Sequence, residues 1–245
     1  MIDLHCHILP GIDDGAKTQE ESLKMAGIAL RDGIHTIVAT PHALGIHSNN
    51  VRSVEKSIAG LTDAFSINGI NIKLIPGADV PLSAGLMDKI KGGEAGTINN
   101  SMKYILLELP SYTVPPRVKD LIFDLKMNGI TPVITHPERN LMIQQNAGIV
   151  YDLVIMGALC QITAMSITGD FGEIPRKSAA ILLERRLVHV IASDAHSADY
   201  RPPLLSKAVE AAANILGNYE EAERMVRDVP AAIIAGNTPE IADPV

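Results

Sequence analysis

Short apolar segments alternate with amphipathic stretches along all 245 residues, and this alternation constrains the fold more than any other feature. Strands separated by helices favour a parallel sheet, and at this length a closed barrel of seven or eight strands is the leading solution. The predicted strands are the N-terminal residues, 36–40, 70–75, 104–110, 131–135, 159–163 and 188–192. The predicted helices are about 19–32, 51–65, 82–91, 115–127, 148–156, 177–186 and 204–234, the last broken near Gly217 and Pro230.

The composition fits one aliphatic domain of the α/β class. Hydrophobic residues make up 47% of the chain but aromatic residues only 3%, so Ile, Leu, Val, Ala and Met must build the core. We therefore expect residues 1–245 to form a single domain. The formal charge of -7 and the absence of a Lys/Arg run argue against nucleic-acid binding.

The cysteines and the N-terminus indicate a cytoplasmic protein. Cys6 and Cys160 lie far apart and lack metal-binding spacing, so a disulfide framework is not expected. Met1 leads directly into a predicted strand, without the basic and apolar regions of a signal peptide. No apolar run approaches the roughly 20 residues of a membrane span, so we expect no membrane insertion.

The first strand ends in two histidines that can share a ligand. His5 and His7 are two residues apart, so on a strand they lie on the same face, with Cys6 on the other. A Pro-Gly turn follows, and the carboxylate of Asp14 could then return over the same site. Histidines at a strand end also occur as plain polar residues, so this pair alone leaves both interpretations open.

Other imidazoles and carboxylates share this location at strand ends. In a parallel barrel these ends meet on one face, where such barrels carry their active sites. A single acid there could equally be a helix cap or a surface charge, but the joint pattern favours a site for Mn²⁺, Fe or Zn²⁺. The candidate ligands are His5, His7 and Asp14 after strand one, His42 after strand two, Asp79 after three, Glu108 after four, His136 after five, and Asp194 and His196 after seven.

The remaining histidines are expected to have other roles. His35 and His189 are predicted to be strand-edge or packed residues, and His47 a loop residue.

Two arginines follow the same strand ends. Arg139 lies three residues after His136, and Arg201 lies five after His196. Clustered cations are the usual apparatus for phosphoester hydrolysis, and guanidinium groups match phosphate bidentately. Both arginines are candidate phosphate clamps, and the alternative for each is a solvated surface side chain.

Five motifs carry a family resemblance. The sequence resembles the PHP (polymerase and histidinol phosphatase) superfamily, and within it the metal-dependent protein-tyrosine phosphatases of bacterial capsule and exopolysaccharide loci, the CpsB/YwqE type. The resemblance implies a distorted TIM-like barrel of about seven parallel strands, in a single PHP-type phosphatase domain. The motifs are His5-Cys6-His7-Ile8-Leu9-Pro10-Gly11-Ile12-Asp13-Asp14-Gly15, Ala39-Thr40-Pro41-His42, Leu107-Glu108-Leu109-Pro110, Thr135-His136-Pro137-Glu138-Arg139-Asn140 and Ser193-Asp194-Ala195-His196.

The resemblance also implies a cluster of two or three divalent ions, with Mn²⁺ first and Fe or Zn²⁺ as alternatives. The family usually has Glu at the position that bridges two ions, where this chain has Asp79, which is one methylene shorter. By this resemblance one ion would be held by His5, His7 and Asp194, a second by Glu108 and His136, and a third by Asp14, His42 and His196.

The implied reaction is direct attack of a metal-bound hydroxide on a phosphotyrosyl phosphorus. Arg139 and Arg201 would neutralise the phosphoryl oxygens, and His42 or His196 could supply a proton. The implied substrate is the tyrosine-rich tail of a bacterial tyrosine kinase that controls polysaccharide synthesis. Cysteine-based catalysis is not expected, because that mechanism needs an arginine six residues after the cysteine, whereas Ile12 and Ser166 occupy these positions.

Three other functions compete with this prediction. A small-molecule phosphatase, acting for example on histidinol phosphate, would use the same cluster. A weakly active regulatory binding protein would be consistent with a site altered at Asp79. A generic metal-dependent amidohydrolase is disfavoured because it would have no use for the arginine pair.

Overall fold

The computed structural model describes all residues 1–245 and contains eight strands and eleven α-helices. The strands are β1 (Ile2–Cys6), β2 (Thr36–Ala39), β3 (Lys73–Pro76), β4 (Asp79–Pro81), β5 (Tyr104–Glu108), β6 (Thr131–Thr135), β7 (Leu159–Thr163) and β8 (Val190–Ala192). The helices are α1 (Gln19–Arg31), α2 (Val51–Ile67), α3 (Leu86–Lys91), α4 (Val118–Met127), α5 (Leu141–Gln145), α6 (Gly148–Ile155), α7 (Ala164–Thr168), α8 (Glu173–Glu184), α9 (Ser206–Leu216), α10 (Tyr219–Arg224) and α11 (Asp228–Ala235). Short 3₁₀ turns cover Ile98–Asn100 and Pro137–Arg139.

All strand pairs are parallel, which confirms the prediction of an α/β fold with parallel sheets. The strands form two sheets, with the orders β1-β2-β3 and β4-β5-β6-β7-β8, and do not pair into one closed ring. Single bridges join the sheets where strands end: His42 pairs with Asp79, and Cys6 pairs with Ala195. The carboxyl ends of both sheets therefore meet on one face.

The structure has eight strands where seven segments are predicted, because a short extra strand, β4, follows the third one after a break. Gly77 lies between β3 and β4, where a Cβ atom would approach Val38 Cγ1 to 2.8 Å. The backbone passes so close to β2 here that only glycine fits. The break starts a new strand, and the side chain of its first residue, Asp79, is fully buried.

The C-terminal helical segment is broken near Gly217 and near Pro230, as predicted. The second break falls at residues 225–227, and Pro230 itself lies in the first turn of α11, where proline is tolerated because the amide would have no helical partner. α5 and α7 were not predicted, because five residues are too few to show helical periodicity.

Most strands are buried on both faces, whereas β3 is only partly buried. Neighbouring residues of β5 divide between two aliphatic clusters: Ile105 and Leu107 join a large cluster with the helices, and Leu106 joins a smaller one with Leu4 and Val38. α11 adds Ile233 to the smaller cluster. None of the helices is long and apolar enough to cross a bilayer.

Candidate metal centre

The nine predicted ligands lie together at the carboxyl ends of the strands. Three subsets have ligand atoms within 4.8 Å of one another: His7, Asp14, His42 and His196; His5, His7 and Asp79; and His42, Asp79 and Glu108. The two other candidates border these subsets. Asp194 Oδ1 is 3.4 Å from His5 Nε2, and His136 Nε2 is 3.7 Å from Glu108 Oε1.

The loop after β1 folds back over His7. At Gly15 a Cβ atom would lie 2.2 Å from the His7 carbonyl oxygen, so the turn requires glycine. This turn directs Asp13 Oδ2 to His7 Nδ1 at 2.8 Å and leaves Asp14 nearer the solvent. Burial raises the pKa of Asp13, but the contacts with His7 and the hydrogen bonds from the Gly15 and His42 amides together outweigh it, and the net shift is downward. Asp13 is therefore ionised and accepts the Nδ1 proton of His7.

His5 and His7 present two nitrogen lone pairs to each other. The Nδ1 of His5 lies 2.9 Å from the side-chain amide oxygen Oε1 of Gln161, which only accepts, so Nδ1 carries the proton. The Nδ1 proton of His7 is already donated to Asp13, so neither Nε2 carries one. These Nε2 atoms are 3.1 Å apart. Burial lowers the pKa of His5 strongly and that of His7 to about 4, so a shared cation is the group that satisfies both nitrogens.

Asp79 lies between His5 and His42 in the ligand cluster. Its Oδ2 is buried, has no hydrogen-bond partner, and is 3.7 Å from His5 Nε2 and 3.5 Å from His42 Nδ1. Burial, with Glu108 and Asp194 nearby, raises its pKa well above the usual range. A buried carboxylate oxygen without a partner is costly unless a cation accompanies it, so Asp79 fits a metal site and lies near both His5 and His42 despite its shorter side chain.

Glu108 and His136 form the side of the cluster on β5 and β6. Glu108 Oε2 is also 4.0 Å from His42 Nδ1. Burial raises the pKa of Glu108 and lowers that of His136 to about 3, to which Arg139 also contributes. Both shifts favour neutral groups in the absence of a cation, and a bound cation would reverse this preference for Glu108.

The outer subset surrounds Asp14. Its Oδ1 is 3.5 Å from both His42 Nε2 and His196 Nε2. The Nδ1 of His196 donates to the Asp194 carbonyl oxygen at 2.9 Å, which orients the ring so that Nε2 faces Asp14. His7 belongs to this subset as well, which the family resemblance did not imply.

Asp194 connects the ligand cluster to the two arginines. Its Oδ2 accepts hydrogen bonds from Arg139 Nη1 and Arg201 Nη2, both at 2.6 Å, while Oδ1 faces His5 and His7. Burial raises the pKa of Asp194, but the surrounding imidazoles of His5 and His136 and the Arg201 guanidinium together outweigh it and hold the pKa far below the usual range. This carboxylate is therefore negative and shared by both functions of the site.

Two site residues adopt strained backbone conformations. His136 has φ of 35° and Asp194 has φ of 50°, in the left-handed region that non-glycine residues rarely occupy. Both begin the loops that leave β6 and β8. Strain of this kind persists where the surrounding structure fixes the backbone, and it is concentrated at functional sites.

Comparison with known proteins identifies the family. A family model described as capsular polysaccharide synthesis, CpsB/CapC, matches residues 1–235. The chain belongs to the CpsB/CapC family. The Bacillus subtilis protein "Tyrosine-protein phosphatase YwqE" is 39% identical over 202 residues, which cover 82% of this chain and 79% of that protein. The Streptococcus pneumoniae protein "Tyrosine-protein phosphatase CpsB" is 32% identical over 96% of this chain and 98% of that protein.

Solved structures agree with this assignment. A crystal structure from a study of B. subtilis YwqE and S. pneumoniae CpsB, described as metal-dependent tyrosine phosphatases, matches with a TM-score of 0.94 at 33% identity. The match covers all of this chain and 98% of the other. The fold expected for a CpsB/CapC protein therefore extends over the whole chain.

Sequence analysis missed several residues that support the candidate ligands. Asp13 and Gln161 orient His7 and His5, and Phe171 lies against both arginines. Asp13 stands beside Asp14 in the first motif, which is a sequence signal, but only the turn decides which acid points inward. Gln161 and Phe171 stand outside the motifs and gave no signal.

The three histidines expected to have other roles lie outside the ligand subsets. His35 is exposed, and buried His189 accepts the Cys160 amide at Nδ1, 3.0 Å away. His47 lies in the loop after β2, and its ring stacks on His42 with 6.0 Å between centroids.

Proposed function

We propose that this protein is a metal-dependent protein-tyrosine phosphatase, a phosphoric monoester hydrolase. One observation carries the proposal: two guanidinium groups and the imidazole-carboxylate cluster meet at a single buried carboxylate, Asp194. Cation ligands and phosphate-binding groups are thereby placed side by side, as phosphoester hydrolysis requires. The names of the YwqE and CpsB relatives support the same activity.

Two or three divalent ions would occupy the site, with Mn²⁺ first and Fe or Zn²⁺ as alternatives. His5, His7 and Asp194 would hold one, Glu108 and His136 a second, and Asp14, His42 and His196 a third, with Asp79 between the first two. When bound, these ions would activate a water molecule and offset negative charge on the phosphoryl group. We also infer that residues 1–245 form one phosphatase domain of distorted-barrel type.

Arg139 and Arg201 would bind the phosphoryl oxygens. Their side chains are 35% and 26% exposed, so their outer N–H groups remain available while each also donates to Asp194. Two planar guanidinium groups side by side can orient a phosphate and neutralise its oxygens as the bond between phosphorus and the leaving group breaks.

The phenolate leaving group needs little assistance from a general acid. Its pKa of about 10 allows departure without a strong acid. Of the two histidines considered as proton donors, His196 donates its Nδ1 proton to the Asp194 carbonyl oxygen. That proton is not available to the leaving group, so His42 is the better donor.

We infer that the substrate is a phosphotyrosine in a protein, with the tail of a bacterial tyrosine kinase as the candidate. Loops after β2, β5 and β8 carry large exposed side chains on the face that holds the site: Ile46 is 93% exposed, Tyr112 74% and Tyr200 86%. Such a rim offers contacts to residues that flank a phosphotyrosine, whereas a small-molecule enzyme usually encloses its substrate in a pocket.

A substrate panel tests the proposal. The protein, loaded with Mn²⁺, Fe²⁺ or Zn²⁺ in parallel, is assayed with a phosphotyrosine peptide, a phosphoserine peptide of the same sequence and histidinol phosphate. We expect the highest kcat/KM with the phosphotyrosine peptide. Preferred hydrolysis of histidinol phosphate would indicate a small-molecule phosphatase, and bound metal without any hydrolysis would indicate a regulatory binding protein.

A further inference from the structure

One aromatic ring contacts both arginines of the site. The Arg139 guanidinium carbon lies 5.2 Å from the centroid of the Phe171 ring, and that of Arg201 lies 5.5 Å from it. Both distances fall within the range of cation–π attraction, about 6 Å. Only three phenylalanines occur in the chain, and this one lies beside the only two arginines placed near the cluster.

The arginine pair needs such a partner. Both guanidinium groups donate to the same oxygen, Asp194 Oδ2, so two positive charges are held close together against their mutual repulsion. One carboxylate cannot neutralise two cations. The electron-rich face of an aromatic ring attracts both without taking up any N–H donor, so the outer donors remain free for a phosphate.

The chain fixes Phe171 relative to Arg139 through a buried acid. Glu138 lies next to Arg139, and its Oε1 accepts hydrogen bonds from Ser166 Oγ at 2.6 Å and from the Thr163 amide at 3.0 Å. These bonds tie the turn that carries Arg139 to the start of α7.

The loop after α7 then places the Phe171 ring against the two arginines. The Phe171 amide donates to the Met165 carbonyl oxygen at 3.2 Å, and glycines with φ of 93° at 169 and 172 make the turns on either side. Glycine adopts this conformation without strain, so the loop holds the ring in a defined place.

We propose that Phe171 is a positioning residue that holds Arg139 and Arg201 together as one phosphate-binding unit. This inference rests on the proposed phosphatase function, because it assigns the arginines to phosphate. Phe171 acts through the guanidinium groups, so its loss should weaken phosphate binding while the metal ligands stay in place.

Substitution at Phe171 separates the ring's electronic role from its bulk. Phe171→Leu and Phe171→Met keep an apolar side chain without the π face, whereas Phe171→Tyr and Phe171→Trp keep it. We measure the Kd of inorganic phosphate for the metal-loaded protein, KM and kcat for a phosphotyrosine peptide, and bound metal per chain. Phe123→Leu, on the exposed face of α4, is the matched control because Phe123 is 62% exposed and lies outside the site.

We expect phosphate Kd and KM to rise about 5- to 30-fold in F171L and F171M, as two exposed cation–π contacts predict. The change in kcat should be smaller, the metal content should not change, and F171Y, F171W and F123L should stay near wild type. Equal phosphate affinity in F171L and wild type would overturn the inference. So would a loss of affinity in F171Y and F171W as large as that in F171L and F171M.

Failure of the inference can be distinguished from failure of the proposed function. Wild-type hydrolysis of the phosphotyrosine peptide, together with unaltered phosphate binding in F171L, would overturn the role of Phe171 alone. Phosphate binding that depends on the ring, in a protein that hydrolyses no phosphotyrosine, would support the role of Phe171 and overturn the protein-tyrosine phosphatase assignment.

Discussion

Buried histidines lie at both ends of the strands, and their surroundings differ. His189, just before β8, is 3% exposed, and burial lowers its pKa to about 4. Burial also lowers the pKa of His136, after β6, to about 3. His136 faces Glu108 and lies near charged Asp194, whereas the only polar contact of His189 is the Cys160 amide.

This difference shows that burial of imidazoles alone does not build a metal site. At the carboxyl ends several strands bring acids within 4 Å of the imidazoles, and one buried carboxylate oxygen, Asp79 Oδ2, has no hydrogen-bond partner. At the amino ends a packed histidine satisfies a backbone amide. The chemistry follows from which end of the strand a residue occupies, as in other parallel α/β folds.

The largest loss of activity is expected when the carboxylate of Asp194, which the ligand cluster and the arginines share, is removed. Asp194→Asn removes the charge that faces His5, His7 and both arginines. We expect kcat/KM to fall on the order of 10³-fold, because several kcal/mol of charge stabilisation are lost. Steady-state kinetics with a phosphotyrosine peptide would measure this loss. His189→Asn and the exposed Asp124→Asn are the controls at neutral pH, and equal activity in D194N and either control would refute the comparison.

His189, at the amino end of β8, should affect the stability of the folded protein at low pH. The pKa of His189 is about 4 in the folded protein and about 6.5 when unfolded, so between these values the unfolded chain binds more protons. The free energy of unfolding should therefore fall by about 3 kcal/mol as pH drops from 6.5 to 4, with no further contribution below 4.

Urea unfolding of the metal-free protein at several pH values would test this effect. The slope with pH should be shallower in H189N, whose side-chain oxygen can still accept the Cys160 amide, than in wild type. H35N, altered at an exposed position, is the control. A slope in H189N as steep as that of wild type would contradict the assignment.

A smaller effect is expected for the acid that orients a candidate ligand. Asp13→Asn keeps the shape of the side chain but removes the charge that accepts the His7 Nδ1 proton. We expect metal affinity, measured by calorimetry, to fall about 10- to 100-fold, as is typical when such a supporting partner is lost. Unchanged affinity would mean that Asp13 serves the backbone turn alone, through Gly15 and His42.

The smallest effect is expected at Cys6, which lies between two candidate ligands. Its thiol is buried, and burial raises its pKa well above the usual range, so it is not a nucleophile at neutral pH. Cys6→Ser should keep kcat within about twofold of wild type, because the reactive form of cysteine is the thiolate. Abolished turnover with full metal content would contradict a metal-dependent mechanism.

The position of the site could be predicted from the sequence because strand ends are easy to locate. Apolar segments stopped by His42, His136 or Asp194 place each residue on one face once the strands are parallel. The same logic could not place Asp13, Gln161 or Phe171. The turn at Gly15, the pairing of β7 and the loop after α7 direct these side chains, and all three depend on tertiary contacts.

The fold, like the site, could be predicted only in part: its class and the parallel pairing, but not the irregularities of single strands. The alternation of segments gave the class and the parallel pairing, because both follow from hydrophobic periodicity. The division at Gly77 depends on how closely the backbone passes Val38, which periodicity does not encode. The break near Pro230 could be predicted as well, but not that it falls before the proline, which is tolerated in the first turn of α11.

Anomalous diffraction from crystals grown with Mn²⁺ tests the central claim most directly. If the carboxyl ends of the strands gather cations, anomalous peaks should lie between His5, His7 and Asp194 and between Glu108 and His136, with none near His189. Peaks absent from the cluster at saturating metal would contradict the account.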